Sequence, residues 1–270
     1  MKDFFWIKQV RKDFLWDISY KISFFGQFIG IFLTVTTFYF ISETFIDNQS
    51  ELLDKYNQNY FVFAVIGICI VDILTIVMRS VSTSIREAQS FGYLDILITS
   101  NIRPIYLYFC SSLYPLFKGF LRLMLYLIFM KIFVNLEINL ISFLVFIALI
   151  ILAVLPFFGI AILAGAFVIY FKQSEPIIFF TNIFIAVFSG IVYPVKVMPL
   201  WMQEISGLIP LSTILEDMRL IILNESLLND LSITFYVLMF LFSLIFIIIC
   251  SLIMSAIIQR VKIDGTLGKY

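Results

Sequence analysis

A chain of 270 residues that is 62% hydrophobic and 13% charged, with a mean hydropathy of +1.06, has too little polar surface to cover a water-soluble globule. Lys plus Arg and Asp plus Glu balance at 18 each, so no net charge directs the chain to nucleic acid or another polyion. The charges are bunched between long apolar runs, the pattern of a multi-span membrane protein.

The sequence holds no histidine, the commonest acid/base catalyst and metal ligand at neutral pH. Cys69, Cys110 and Cys250 all lie in apolar runs without CxxC or metal-ligand spacing and read as packing residues. No paired intramembrane carboxylates and no nucleophile constellation stand out. The sequence therefore predicts no catalytic residues and no metal site, and a membrane-embedded enzyme is set aside.

Residues 1–21 place Phe4, Ile7, Val10, Phe14 and Ile18 on one helical stripe, with Lys8, Lys12, Asp13 and Asp17 off it and Arg11 intruding. That pattern predicts an amphipathic helix in the membrane interface, with Trp6 and Trp16 as headgroup-level anchors; a frayed charged tail is the alternative. The apolar run that follows ends in Ile41-Ser42-Glu43 with no small-x-small cleavage site, so it is expected to be retained as a first span.

A crossing helix needs about 20 apolar residues, because lipid leaves no partner for an open backbone group. Six runs qualify: 22–41, 60–77, 105–133, 140–171, 177–193 and 231–258. The expected fold class is an all-α membrane protein with a six-span domain over 22–258 and a cytoplasmic tail over 259–270. Pro115 and Pro156 are the expected kink points of the two longest runs.

With the first residue inside, Lys2, Lys8, Arg11, Lys12, Lys21, Arg79, Arg86, Arg103, Lys172, Arg260, Lys262 and Lys269 face the cytoplasm. Lys55, Lys131, Lys196 and Arg219 then face outward, and the two long outer connections are acidic. This asymmetry predicts a multi-pass protein of the cell membrane with both termini cytoplasmic.

Two connections are too elaborate for simple turns. The inner one, 79–104, has a centre at 84–100 that reads as a single short amphipathic helix: a serine near its start, Ile85, Ala88 and Ile96 on one stripe around Gly92, and Arg86, Glu87 and Asp95 elsewhere. Such a helix either inserts into a groove on a partner or lies on the membrane surface. The outer one, 194–230, is rich in Trp, Leu, Ile and Met yet broken by Pro194, Pro199 and Pro210. Apolar side chains on non-spanning backbone suggest short re-entrant helices packed on the bundle.

These two connections carry a family resemblance. Arg86 followed by Phe91-Gly92-Tyr93-Leu94-Asp95-Ile96-Leu97-Ile98-Thr99-Ser100 resembles the basic residue, Gly-Thr-Leu-Glu, aliphatic pair and Thr-Pro of ABC-2 type permeases. Here Tyr93, Asp95 and Ser100 replace the usual Thr, Glu and Pro. Ser189-Gly190-Ile191-Val192-Tyr193-Pro194, Pro199-Leu200-Trp201-Met202-Gln203, Pro210-Leu211-Ser212 and Glu216-Asp217-Met218-Arg219 are similar, in order and spacing, to the family's outer elements. The resemblance covers nearly the whole chain.

What the resemblance implies is a permease that pairs with itself or with a similar permease and binds two nucleotide-binding ATPase subunits. The region around Gly92, with Arg86, Glu87, Leu94 and Asp95, would be the coupling helix seated in the ATPase. No GxxxxGK[ST] occurs, so ATP and Mg are expected on the partner ATPase, with no cofactor held by this chain. The outer elements look most like the drug and lipo-oligosaccharide branch, which implies an amphipathic or lipid-linked substrate. The polysaccharide and teichoic-acid branch is the runner-up, and a passive channel or scaffold is the rival of another class.

Three charges fall at membrane depth: Asp72 near the inner end of the second span, and Lys118 and Arg122 one turn apart in the third. They either line a path for an anionic headgroup or sugar-phosphate, pair with one another to lock the bundle, or snorkel to the interface.

Overall fold

The computed structural model describes residues 5–45, 60–99, 104–134, 139–223 and 232–263, and their regular structure is helical. In chain order the elements are α1 (Phe5–Ser19), α2 (Lys21–Phe45), α3 (Tyr60–Ser90), α4 (Leu94–Thr99), α5 (Pro104–Val134), α6 (Leu140–Phe171) and α7 (Glu175–Phe188). A 3-10 turn (Val195–Val197), α8 (Leu200–Leu208), α9 (Pro210–Leu223) and α10 (Ile233–Ile263) follow. Among the described residues, four helices are long and apolar enough to cross a membrane: Phe24–Thr44 within α2, then α3, α6 and α10.

Two of these make the centre. The N-terminal part of α3 is buried around its whole circumference, from Phe61 through Gly67, and the helix packs against α2, α5, α6, α7 and α9. In lipid the hydrophobic effect does not press helices together, so close packing depends on small residues. α6 supplies them in Ala161, Ala164, Gly165 and Ala166. A Cβ at Gly165 would lie 2.8 Å from side-chain carbons of both Val81 and Ile85 on α3, so a larger residue would have to push those side chains aside. α10 closes on the other side of α6, while α2 and α10 turn Phe25, Phe32, Phe40, Phe242 and Leu252 outward. Such exposure is ordinary against acyl chains, because lipid tails are as apolar as the side chains themselves.

The structure departs from the sequence reading at three boundaries. The fifth predicted run, 177–193, becomes α7, which has 14 residues and ends at Phe188. At 1.5 Å per residue it is about 21 Å long, short of a hydrocarbon core about 30 Å thick. Gly190 stops it by taking a left-handed φ of +66°. The expected single helix over 84–100 is instead two helices, α3 to Ser90 and α4 from Leu94, separated at Gly92. The third is the tail boundary: α10 continues five residues beyond 258, carrying Arg260 and Lys262 in its last turn. Both α5 and α6 remain helical through Pro115 and Pro156. Residues 224–231, the end of the second outer connection, lie outside the described residues, as does Phe4 of the N-terminal stripe.

Candidate functional site

The C-terminal end of α3, read from the sequence as the inner one, forms an elbow whose shape comes from backbone chemistry. Gly92 has φ +70°, its N–H donates to Gln89 O at 3.0 Å, and the Tyr93 N–H reaches back to Ala88 O at 3.0 Å. This is the paired bonding of a Schellman cap, with glycine at the one position where an L side chain is strained. It satisfies carbonyls that the last turn of α3 would leave open, and it redirects the chain into α4. Around the elbow, Leu94 is buried at 3% exposure while Phe91 and Ile96 stand out at 59% and 71%. Leu94 thus roots α4 in the bundle and leaves two apolar side chains projecting from its rim. The side chain of Asp95 lies outside the described residues.

The other inner motif residues look sideways. Arg86 donates to Ser174 Oγ at 3.2 Å, and Arg79 pairs with Glu175 at 3.2 Å, so the α6–α7 link is tied to α3. Glu87 accepts from Lys12 of α1 at 3.1 Å. The edge of Phe91 meets Trp16 with ring centroids 5.6 Å apart. α1 is therefore fastened to the elbow by one ion pair and one aromatic contact.

α1 faces the protein with its polar side. Gln9, Lys12, Asp13 and Asp17 are half-buried, while Trp6, Ile7, Phe14, Leu15 and Ile18 are exposed. An amphipathic helix oriented this way presents its apolar face to lipid and its carboxylates to the bundle. Burial, only partly offset by Lys12, holds the Asp13 carboxyl above its ordinary range. Burial lowers the Lys12 ammonium, but the Asp13 and Glu87 carboxylates outweigh it and leave that group raised.

The three charges at membrane depth are brought into pairs. Lys118 donates to Asp17 of α1 at 2.6 Å, and Tyr114 adds its hydroxyl to the same oxygen at 2.8 Å. Arg122 Nε lies 2.7 Å from Asp72 of α3 but is not aligned as a hydrogen bond, and the Tyr126 hydroxyl stands at 3.5 Å from that carboxylate. α5 thus ties α1 to α3 through charge. Asp17, Lys118, Arg79 and Arg122 line one polar cavity of about 380 Å³, in which cations are matched by carboxylates. A balanced cavity admits water and polar groups but does not concentrate anions.

The outer motifs converge on a single knot. Arg219 of α9 is 3% exposed and donates Nε to Phe63 O at 3.1 Å, Nη1 to Gly190 O at 2.9 Å and Nη2 to Ile191 O at 2.6 Å. Its guanidinium also lies 3.5 Å from the centre of the Phe63 ring. A planar fork with five donors suits three carbonyls that point from different directions. Gly67 makes room, since a Cβ there would strike Ile191 O and the Arg219 guanidinium. The Tyr193 hydroxyl donates to Val187 O at 2.9 Å and fixes the far side of the Gly190 turn. Ser189 is buried, and its hydroxyl has no hydrogen-bond partner among the described residues.

The outer prolines punctuate what remains. Pro194 caps the 3-10 turn, Pro199 caps α8 and Pro210 opens α9, the position where a missing N–H is least felt. Trp201 is exposed and meets Phe188 edge-on at 6.5 Å. Gln203 donates to Met198 O at 2.7 Å and braces α8 against its entering turn. Glu216 is half-buried on α9. Its neighbour Asp217 accepts the Tyr236 hydroxyl, and burial pushes the Asp217 carboxyl up.

Sequence reading alone missed Asp17, Tyr114, Gly67 and Ser174. Asp17 stood off the apolar stripe, which marked it as polar but not as the partner of Lys118. Gly67 is one glycine within an apolar run and carries no signal of its own.

The chain has no match among curated proteins. The family profile described as ABC-2 type transporter matches residues 9–223, from within α1 to the end of α9, so that both the Gly92 elbow and the Arg219 knot fall inside it. The chain belongs to the ABC-2 type transporter family, as a transmembrane permease component and not as a catalytic subunit.

Proposed function

We propose that this chain exports an amphipathic or lipid-linked substrate, using ATP and Mg bound and hydrolysed by a separate nucleotide-binding subunit. The observation that carries the reading is the elbow. A helix of 31 residues, α3, runs from the Arg219 knot to the Gly92 elbow, where Phe91 and, on α4, Ile96 are exposed near Arg86 and Glu87. Projecting apolar side chains rimmed by charges suit a groove on a partner. The elbow with Arg86, Glu87, Gly92, Leu94 and Asp95 would seat on the ATPase, and closure of the ATPase would push along α3.

In this reading α5 and the α7 segment complete six crossings, α8 and α9 dip into the outer leaflet, and both termini are cytoplasmic. Two such permeases, identical or similar, face each other. The likeness of the outer motifs to those of the drug and lipo-oligosaccharide branch supports this substrate class over the polysaccharide and teichoic-acid one. Lys118 and Arg122 line the polar cavity and, paired with Asp17 and with Asp72, hold its wall in place of trapping an anionic substrate.

The test is affinity purification of the tagged chain from its native membranes in mild detergent, with an ATPase assay on the eluate. A stoichiometric P-loop ATPase is expected, and Ile96→Asp should lower its retention severalfold while membrane insertion stays intact. A homogeneous chain with no ATPase across several mild detergents would turn the reading towards a channel or scaffold.

A further inference from the structure

A second cavity, of about 490 Å³, lies under the elbow between α1, α3, α4, α5 and α10. Its size falls in the range of small-molecule sites. Ile85, Leu94, Leu97 and Ile258 form an apolar wall contributed by α3, α4 and α10. Lys12 and Lys262 also line it, but Lys12 is paired with Asp13 and Glu87, and Lys262 has interactions of its own, so neither marks the cavity for an ion. Recognition there falls to hydrogen bonding and apolar burial.

One lining residue is out of place in a self-sufficient core. Tyr108 is 5% exposed, and its hydroxyl has no hydrogen-bond partner among the described residues. The adjacent hydroxyls are turned elsewhere, since Ser111 and Ser112 both donate to the Tyr108 backbone carbonyl, at 2.8 and 3.0 Å. A buried hydroxyl without a partner is destabilising, and native structures rarely keep one that nothing satisfies. The occupant that would satisfy it must bring an oxygen acceptor together with an apolar body for the wall. α1 and α10, which bound the cavity, turn Phe14, Leu15, Leu252 and Ile253 outward. Side chains of that kind belong against acyl chains, so the ligand that reaches this cavity is one dissolved in the bilayer.

We propose that this cavity binds an uncharged single-chain amphipath of the acylglycerol kind, drawn from the surrounding lipid. An ester or hydroxyl oxygen of the ligand accepts from the Tyr108 hydroxyl, and its hydrocarbon chain lies along Leu94, Leu97 and Ile258. Leu94 and Leu97 belong to α4 and Ile258 to α10, so occupancy fixes the position of the elbow relative to α10. The assignment needs neither an ATPase partner nor an orientation of the chain, and it stands or falls apart from the transport reading.

The full-length chain is reconstituted in phosphatidylcholine nanodiscs with monooleoylglycerol carrying a diazirine in its chain. After illumination the labelled peptides are identified by mass spectrometry. Saturable labelling of α4 and α10 beside the cavity is expected. Excess unlabelled monooleoylglycerol should displace it, whereas octadecene, with a similar hydrocarbon body and no oxygen, should compete severalfold less well, the scale of one hydrogen bond to a buried hydroxyl. Tyr108→Phe should reduce labelling severalfold without lowering the Tm of the unliganded chain, a split that a purely structural tyrosine would not show. Ile258→Trp should block labelling by filling the wall from α10. Undiminished labelling in both variants would overturn the site, and so would a fall in Tm of Tyr108→Phe that accounts for its loss of labelling. Label spread evenly over the lipid-facing helices would overturn it as well. Displacement by phosphatidylglycerol in preference to monooleoylglycerol would overturn the uncharged occupant.

Discussion

At its N-terminal end, read as the outer one, α3 is held by a guanidinium 3% exposed that bonds three carbonyl oxygens. By contrast, the ion pairs at its other end, read as the inner one, are Lys12–Glu87, with side chains 41% and 40% exposed, and Arg79–Glu175, with side chains 51% and 59% exposed. Charge-assisted bonds out of water are strong, and half-exposed ion pairs contribute little. The outer joint also has no slack, since Gly67 leaves no room beside Ile191 and Arg219. The inner joint has open space: a Cβ at Gly92 would meet nothing within 4 Å. A helix fixed at one end and loosely tied at the other is suited to act as a lever. Force applied at the elbow is carried along α3 to the knot, where α9 and the Gly190 turn must move with it or resist as one body.

The largest effect is expected at the knot. Arg219→Met keeps most of the volume but leaves the Gly190 and Ile191 carbonyls without their donor and loses the Phe63 contact. Unsatisfied buried groups cost about 1 to 3 kcal/mol each, so a loss of about 3 kcal/mol is expected. Thermal unfolding in detergent would register it as a large fall in Tm. Arg219→Lys should recover only part, because a point charge reaches fewer of three divergent carbonyls. Gly67→Val attacks the same joint from the α3 side and should be comparably damaging. A knot that tolerates both substitutions would erase the contrast between the two ends.

A middle effect is expected where α5 is tied to α3. Asp72→Asn leaves Arg122 beside an uncharged group, with both native side chains 22% exposed. Breaking a buried pair from one side is costly, and partial exposure reduces this to about 2 kcal/mol. Asp72→Leu combined with Arg122→Met should recover most of the loss, because the two changes remove both charges together. The double-mutant cycle sharpens the comparison by placing the mid-bundle tie between the two ends. Export that fails in the stable double variant would show that the pair also serves the substrate path.

How much of this could be read from the sequence depends on the kind of signal. Long apolar runs gave helices, because a period-independent excess of Leu, Ile and Phe has one stable outcome in lipid. The prolines at 194, 199 and 210 marked the starts of the outer elements, since proline costs a helix least at its first turn. Gly92 was noticed but read as the middle of a helix. Its role is set by φ, and the cap that requires it depends on which carbonyls α3 leaves open. The run at 177–193 was overextended because hydropathy does not register the left-handed turn at Gly190. Arg219 was legible as part of Glu-x-x-Arg, while its three acceptors lie on α3 and in the Gly190 turn, far away in the chain. A cation's partners across helices follow from packing, which no local pattern states.

The smallest effect is expected at the inner end, and it tests the comparison from its weak side. Glu87→Gln removes one carboxylate from Lys12, which keeps Asp13 at 3.1 Å. An exposed pair of this kind is worth roughly 0 to 1 kcal/mol, and the Trp16–Phe91 contact remains to hold α1 near the elbow. Tm should therefore move little in dilute buffer. At about 1 M salt the Debye length shrinks to about 3 Å, and the difference from the native chain should vanish. The elbow, however, would lose one of its ties to α1, so coupling of ATP hydrolysis to export should change more than stability does. If Glu87→Gln instead lowers Tm as far as Arg219→Met, the inner end is as rigid as the outer one. α3 would then be a strut clamped at both ends, and the motion would have to lie in the α6–α10 packing.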